Sequence, residues 1–374
     1  MNIQTRILFF ITFTMALMFG FMHLIVPEHN FERLHIFLFN LCSGGSIIIY
    51  FTEDKHKMSL KNKIFFLLTF LYAFLSYFRQ YLLAIIISLI LVIIVESVRI
   101  KKFSFFPGDF FTTKVPTFDK FHHASLLCLS LALLLSTFAI FNHEYVKLLP
   151  FEKFELNTFF LGFSFPVSLI TLSMVFKMMH RAKSMMGRYT KITIFWVINL
   201  GVIIFFIFIL FESAILELVI SLILVVAVLT TLVLYINLGI KEQQKAFLTS
   251  GICFLIATAI TGVAYILVYF YPEYNTAENL KFLRNIHRIV SLYGWNLSGL
   301  VVISRINDFP IRLHSGKIIF LHWITVFLLA PMGYYNLAFA FLAVVSYVIF
   351  LYFVFFSSCE EKECKIDYGT VSGS

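Results

Sequence analysis

YLLAIIISLILVIIVESV, residues 81–98, runs directly into Arg99, Lys101 and Lys102. Its one charged residue is Glu96. These 18 residues, wound as an α-helix, rise about 27 Å, close to the roughly 30 Å of bilayer hydrocarbon. The stretch reads as a membrane-spanning helix with a basic, water-facing border. Similar runs lie on both sides of it, at about 7–26, 34–51, 64–78, 123–142, 156–176, 192–211, 213–236, 247–270, 287–304, 318–334 and 337–357. The sequence thus predicts an all-α, polytopic membrane bundle of about 12 transmembrane helices. Three divisions are short: Arg79-Gln80, Glu212-Ser213 and the vicinity of Asn336.

Composition supports this. The 374-residue chain is 60% hydrophobic and 13% charged, whereas a soluble domain is about 45–50% apolar and roughly 25% charged. So few charges cannot cover a water-facing surface. A soluble enzyme, a nucleic-acid binder and a disordered regulator are excluded. The 48 Phe residues suit lipid-facing helices. Cys42, Cys128 and Cys253 sit in apolar runs, Cys359 and Cys364 near the C-terminus, and no C-x-x-C or zinc spacing occurs. Met1–Arg6 leads into the first span without an A-x-A-like cleavage site, so that helix is expected to remain.

The positive-inside rule tests the helix count. With alternating sides, 22 of the 29 Lys and Arg residues fall with the N-terminus and 7 fall opposite. Both termini are therefore expected to be cytoplasmic, with the bacterial inner (cytoplasmic) membrane as the expected location and the lipid bilayer as the main partner. The expected organisation is a transmembrane domain over 1–358 and a disordered cytoplasmic tail over 359–374. The inner loop of about 99–122, with Phe-Phe-Pro-Gly at 105–108, is expected along the cytoplasmic interface.

Ionisable groups within a bilayer are costly and mark candidate functional positions. His23, His29, His35, His143 and His287 fall on or near the outer face; His56, His122, His123, His180, His314 and His322 fall on or near the inner one. His35, Cys42 and Ser46 are spaced as one α-helical stripe, and His287, Gly294 and Ser298 repeat the offsets. A histidine above small residues suits a flat macrocycle lying on the helix, or equally a closely packed neighbouring helix. Neutral imidazole ligates haem iron and copper. His35 and His287 are the first candidate ligands and His23 the next. Arg284 and Arg288, four residues apart, suit haem propionates, a substrate carboxylate or anionic lipid. Asn199 and Glu217 are the most isolated polar groups, and Glu217 suits proton or cation carriage.

Residues His287 to Lys317, with a shorter early segment, resemble the NnrS family of haem- and copper-containing twelve-helix membrane proteins. The similarity lies in a helix followed by Arg305 and then His314-Ser315-Gly316-Lys317, with Arg33-Leu34-His35 and Gly44-Gly45 placed like that family's early histidine-bearing helix. The resemblance implies a membrane haem or copper protein. The family's early Trp-His-x-His-Glu pattern is absent from this chain.

Other chemistries leave no motif. There is no G-x-x-x-x-G-K-[ST] loop, no paired Asp-rich motif, no His-Glu-x-x-His and no Gly-x-Ser-x-Gly. The loop from Thr52 to Lys63 lacks the Gly-rich Asp-Arg pattern of a major facilitator. The leading expectation is a haem- or metal-binding redox protein. The alternatives are a small-molecule or ion-coupled transporter using Glu217, Asn199 and Arg288, and a structural or assembly subunit.

Overall fold

The computed structural model describes residues 1–29, 31–55, 57–148, 162–180, 184–308 and 311–358. The expected tail 359–374, the first residues of the sixth expected span and Glu152, Lys153 and Glu155 lie outside the described residues. No strand occurs among the described residues. The helices are α1 (Ile3–Leu24), α2 (Glu32–Glu53), α3 (Leu60–Tyr77), α4 (Tyr81–Lys102), α5 (Thr117–Val146), α6 (Phe163–Lys177), α7 (Met185–Leu210), α8 (Ala214–Leu238), α9 (Gln244–Phe270), α10 (Ala277–Arg305), α11 (Gly316–Gly333) and α12 (Leu337–Phe356). Among the described residues, ten of them, all but α3 and α6, are long and apolar enough to cross a membrane. The chain is a multi-pass helical membrane protein.

Helices extend past the apolar runs because capping, not hydropathy, ends them. α10 begins at Ala277 rather than near 287, since Thr276 accepts a hydrogen bond from the Asn279 amide at 3.2 Å. Two of the three short turns are made by left-handed residues, Arg79 at φ 59° between α3 and α4 and Glu212 at φ 56° between α7 and α8. At the third, Asn336 accepts from the Ala338 amide at 2.9 Å and starts α12. The loop between α4 and α5 is tied down by its flanks: Arg99 donates to the Ser104 carbonyl at 2.9 Å and Lys120 to that of Phe110 at 3.0 Å. Phe105, Phe106 and Phe111 remain exposed beside Lys101, Lys102 and Lys114, as an interfacial loop requires.

α2 and α10 form the centre. In their apolar windows 94% and 78% of residues are buried, against 28% and 22% in α7 and α8. The α7–α8 hairpin accordingly turns Leu222, Val226 and Val233 outward. α6 packs on both central helices through small residues. A Cβ on Gly44 of α2 would stand 2.6 Å from Val167, and Gly299 of α10 lies under Thr171.

Both central helices contain π-helical turns, over Phe37–Gly45 in α2 and Val290–Asn296 in α10, and α11 has one at Thr325–Leu329. Bonds from i to i+5 rotate the expected α-helical stripes. On α10 the small residues are covered by α9. A Cβ on Gly294 would meet Phe254 at 2.5 Å, and Ser298 packs against Gly251. Of the two uses that the small residues suit, close helix packing is the one seen on α10.

Candidate functional site

The four helices α1, α2, α10 and α11 diverge at the end of the bundle that the charge asymmetry assigns to the outer side. A cavity of about 380 Å³ opens between them. This size lies within the usual range for small-molecule sites, roughly 300–1,000 Å³. Its charged wall consists of Glu28, Glu32, Lys281 and Arg288, and its floor holds His35 and Tyr293. Leu17, Phe19, Phe31 and Ile289 supply apolar surface.

Two layers of contact join α2 to α10 here. In the upper layer the Arg288 guanidinium pairs with the Glu32 carboxylate and donates to the Asn285 side-chain oxygen. In the lower layer the His35 Nδ1 lies 2.8 Å from the Tyr293 hydroxyl and 2.8 Å from the Ala16 carbonyl of α1. A carbonyl only accepts, so Nδ1 carries the proton and donates. The neutral ring then keeps its lone pair on Nε2, which has no partner among the described residues. His35 is 8% exposed, and that exposure opens onto the cavity. Gly20 permits this seat: a Cβ there would stand 3.0 Å from Nδ1.

His287 is built in the same way in another hairpin. Its Nδ1 lies 3.0 Å from the Thr258 carbonyl of α9 and 3.3 Å from the Thr261 hydroxyl, beside Gly262. Ala16 and Gly20 on α1 thus correspond to Thr258 and Gly262 on α9. The ring of His287 faces α9 and does not line the cavity, so the structure does not bring His35 and His287 together there. His23 does line it, with Nδ1 3.2 Å from the Gly20 carbonyl and Nε2 2.9 Å from that of Tyr334.

The two arginines also separate. Arg288 is on the cavity wall, whereas Arg284 is exposed and off it. Asn199 turns back on its own helix, donating to the Phe195 carbonyl at 2.8 Å. Glu217 is half-buried in the first turn of α8. Neither lines the cavity.

Tyr293 is also a hub inside the bundle. Its ring meets Phe39 at 5.1 Å and Tyr347 at 5.4 Å, and its carbonyl accepts from His322 Nε2 at 2.6 Å. His322 is fully buried, stacked on Phe350 at 4.3 Å and tilted against Phe254 at 4.8 Å. Asn40, in the π-helical part of α2, is 1% exposed, and neither amide atom has a partner among the described residues.

Among the described residues no group of three or more His, Cys, Asp or Glu side chains gathers to hold a metal ion. The donor set at the cavity is one anchored imidazole with an open Nε2, a single candidate donor rather than a cage of several ligands. No family model, no curated protein and no solved structure matches the chain.

Glu32, Lys281 and Tyr334 are site residues that the sequence reading did not select. Spacing alone carries a signal for two of them. Glu32 and His35 share a face at i, i+3, and Lys281, Asn285 and Arg288 share one at i, i+4, i+7. Tyr334 carries no such signal, because its place depends on α11 meeting α1.

Proposed function

We propose that this protein is a membrane carrier for a small polar solute, which enters from the outer side between α1, α2, α10 and α11. The reading includes twelve spans with both termini on the basic, cytoplasmic side, α3 and α6 being counted with the ten long apolar helices. The observation that carries it is the 380 Å³ cavity, whose floor and wall are formed by paired side chains of two central, π-helical helices. Carriers commonly bind solute where spanning helices depart from regular geometry, and π-turns are frequent at functional sites. The Glu32–Arg288 and His35–Tyr293 pairs tie α2 to α10 and must rearrange for solute to pass.

The test is untargeted flux. Proteoliposomes are incubated in a mixture of small metabolites, and their lumen is analysed by mass spectrometry. At least one solute should enter wild-type vesicles and not vesicles carrying Arg288→Ala. If wild type and empty liposomes have the same lumen contents, the carrier reading fails.

One observation favours a second reading, haem or copper binding. The His35 Nδ1–H is held by a backbone carbonyl, the arrangement that presents Nε2 to a metal. On this reading His35 would hold the iron or copper, and Arg288 would face an anionic substituent of the group. Purified protein would then show haem absorption or bound copper, lost in His35→Ala. Colourless, copper-free protein after expression with both supplied would remove it.

A further inference from the structure

The charges on the cavity wall balance, and this bears on what the cavity admits. Arg288 and Glu32 neutralise one another across the gap between α10 and α2. Two further charges have no such partner. The Lys281 ammonium, on the first turns of α10, lies over the Tyr334 ring at 5.4 Å and meets no carboxylate among the described residues. The Glu28 carboxylate, in the connection between α1 and α2, meets no cation among the described residues. The two stand on different elements of one cavity and form no ion pair with each other. The same cavity is lined by the apolar side chains of Leu17, Phe31 and Ile289 and by His35.

A solute with a single charge would answer one of the unpaired groups and leave the other beside a like charge or without a partner. Both groups are exposed at the rim, so discrimination comes from the second attraction, which only a solute of both signs gains. A solute carrying both signs answers both. Its apolar substituent would cover the hydrocarbon surface, and a polar hydrogen would find the His35 lone pair.

We infer that the cavity binds a small zwitterion with an ammonium and a carboxylate, of the amino-acid type, with the carboxylate toward Lys281 and the ammonium toward Glu28. This rests on the carrier reading and specifies its solute.

The experiment uses full-length protein in lipid nanodiscs and three matched sets of probes. The first is L-alanine, L-valine and L-leucine. The second is the same skeletons without the amine: propionate, isovalerate and 4-methylpentanoate. The third is the same skeletons without the carboxylate: ethylamine, isobutylamine and isoamylamine. Thermal stability and tryptophan fluorescence are followed against probe concentration. The zwitterions should act at a concentration about tenfold or more below either single-charge set. Lys281→Met should abolish that advantage over the amines, and Glu28→Gln should abolish it over the carboxylates. Both positions lie at the rim, so the variants are expected to fold. His35→Gln should weaken the zwitterions without reversing the order.

Carboxylates that match the amino acids would overturn the inference and leave a carrier of anions; amines that match them would leave a carrier of cations. Silence from all three sets would also overturn it. The metabolite-flux measurement then separates the two claims. Entry of an unrelated solute keeps the carrier and discards the zwitterion, and no entry discards both.

Discussion

Asn40 has an amide buried at 1% exposure with neither atom hydrogen-bonded among the described residues. Leaving such a group unsatisfied costs about 1–3 kcal/mol. Asn40→Leu has nearly the same shape and no polar atoms, so it should raise the unfolding temperature in detergent. A lower temperature would mean that the Asn40 amide is hydrogen-bonded in the assembled protein. The Tyr293 hydroxyl allows a second measurement. Tyr293→Phe keeps the ring contacts with Phe39 and Tyr347 and loses only the bond to His35. It should cost about 0.5–1.5 kcal/mol, a typical net hydrogen bond. An unchanged unfolding temperature would show that the hydroxyl contributes nothing, and the lower tie between α2 and α10 would then rest on packing alone.

At the scale of elements, two hairpins share one construction. In α1–α2 and in α9–α10, a histidine on the descending helix donates to a carbonyl four residues before a glycine on the ascending one. The repeated spacing of His35 and His287 was visible in the sequence, but its cause was not. Gly20 and Gly262, on the neighbouring helices, let each imidazole approach that helix's backbone. Gly20→Leu should therefore force the His35 ring from Ala16 and part α1 from α2. Overpacking of this kind costs about 1–3 kcal/mol, measurable as a lower unfolding temperature. Gly108, with no atom within 4 Å of an added Cβ, is the control, and Gly108→Leu should leave that temperature unchanged. Equal behaviour of the two variants would discard the close approach at Gly20.

The whole molecule is constrained by charge. Reporter fusions after Lys61, Lys114 and Arg188 should read cytoplasmic, and one near Glu273 should read external, because 22 of 29 cations cluster on one side. A cytoplasmic signal at Glu273 would remove the twelve-span arrangement and would move the cavity mouth to the opposite face. Inversion would leave the α2–α10 contacts intact, since they do not depend on which side of the membrane they face.

The class is legible in the chain alone: helical, multi-pass, with few charges to face water. Those properties follow from composition and from hydropathy along each segment, and both are local. Short turns at Arg79, Glu212 and Asn336 were legible for the same reason, since each polar break interrupts an apolar run. Which polar residues share a site depends on packing between distant segments. His35 meets Tyr293 across 258 positions of chain, and Arg288 reaches Glu32 over a similar distance. That packing also turns His287 and Arg284 away from that cavity, and leaves Asn199 and Glu217 on a peripheral hairpin. Periodicity assigns a residue to a face of its own helix, but the neighbour on that face is fixed by packing between distant segments. Here the π-turns of α2 and α10 rotate the faces as well, which α-helical spacing does not show.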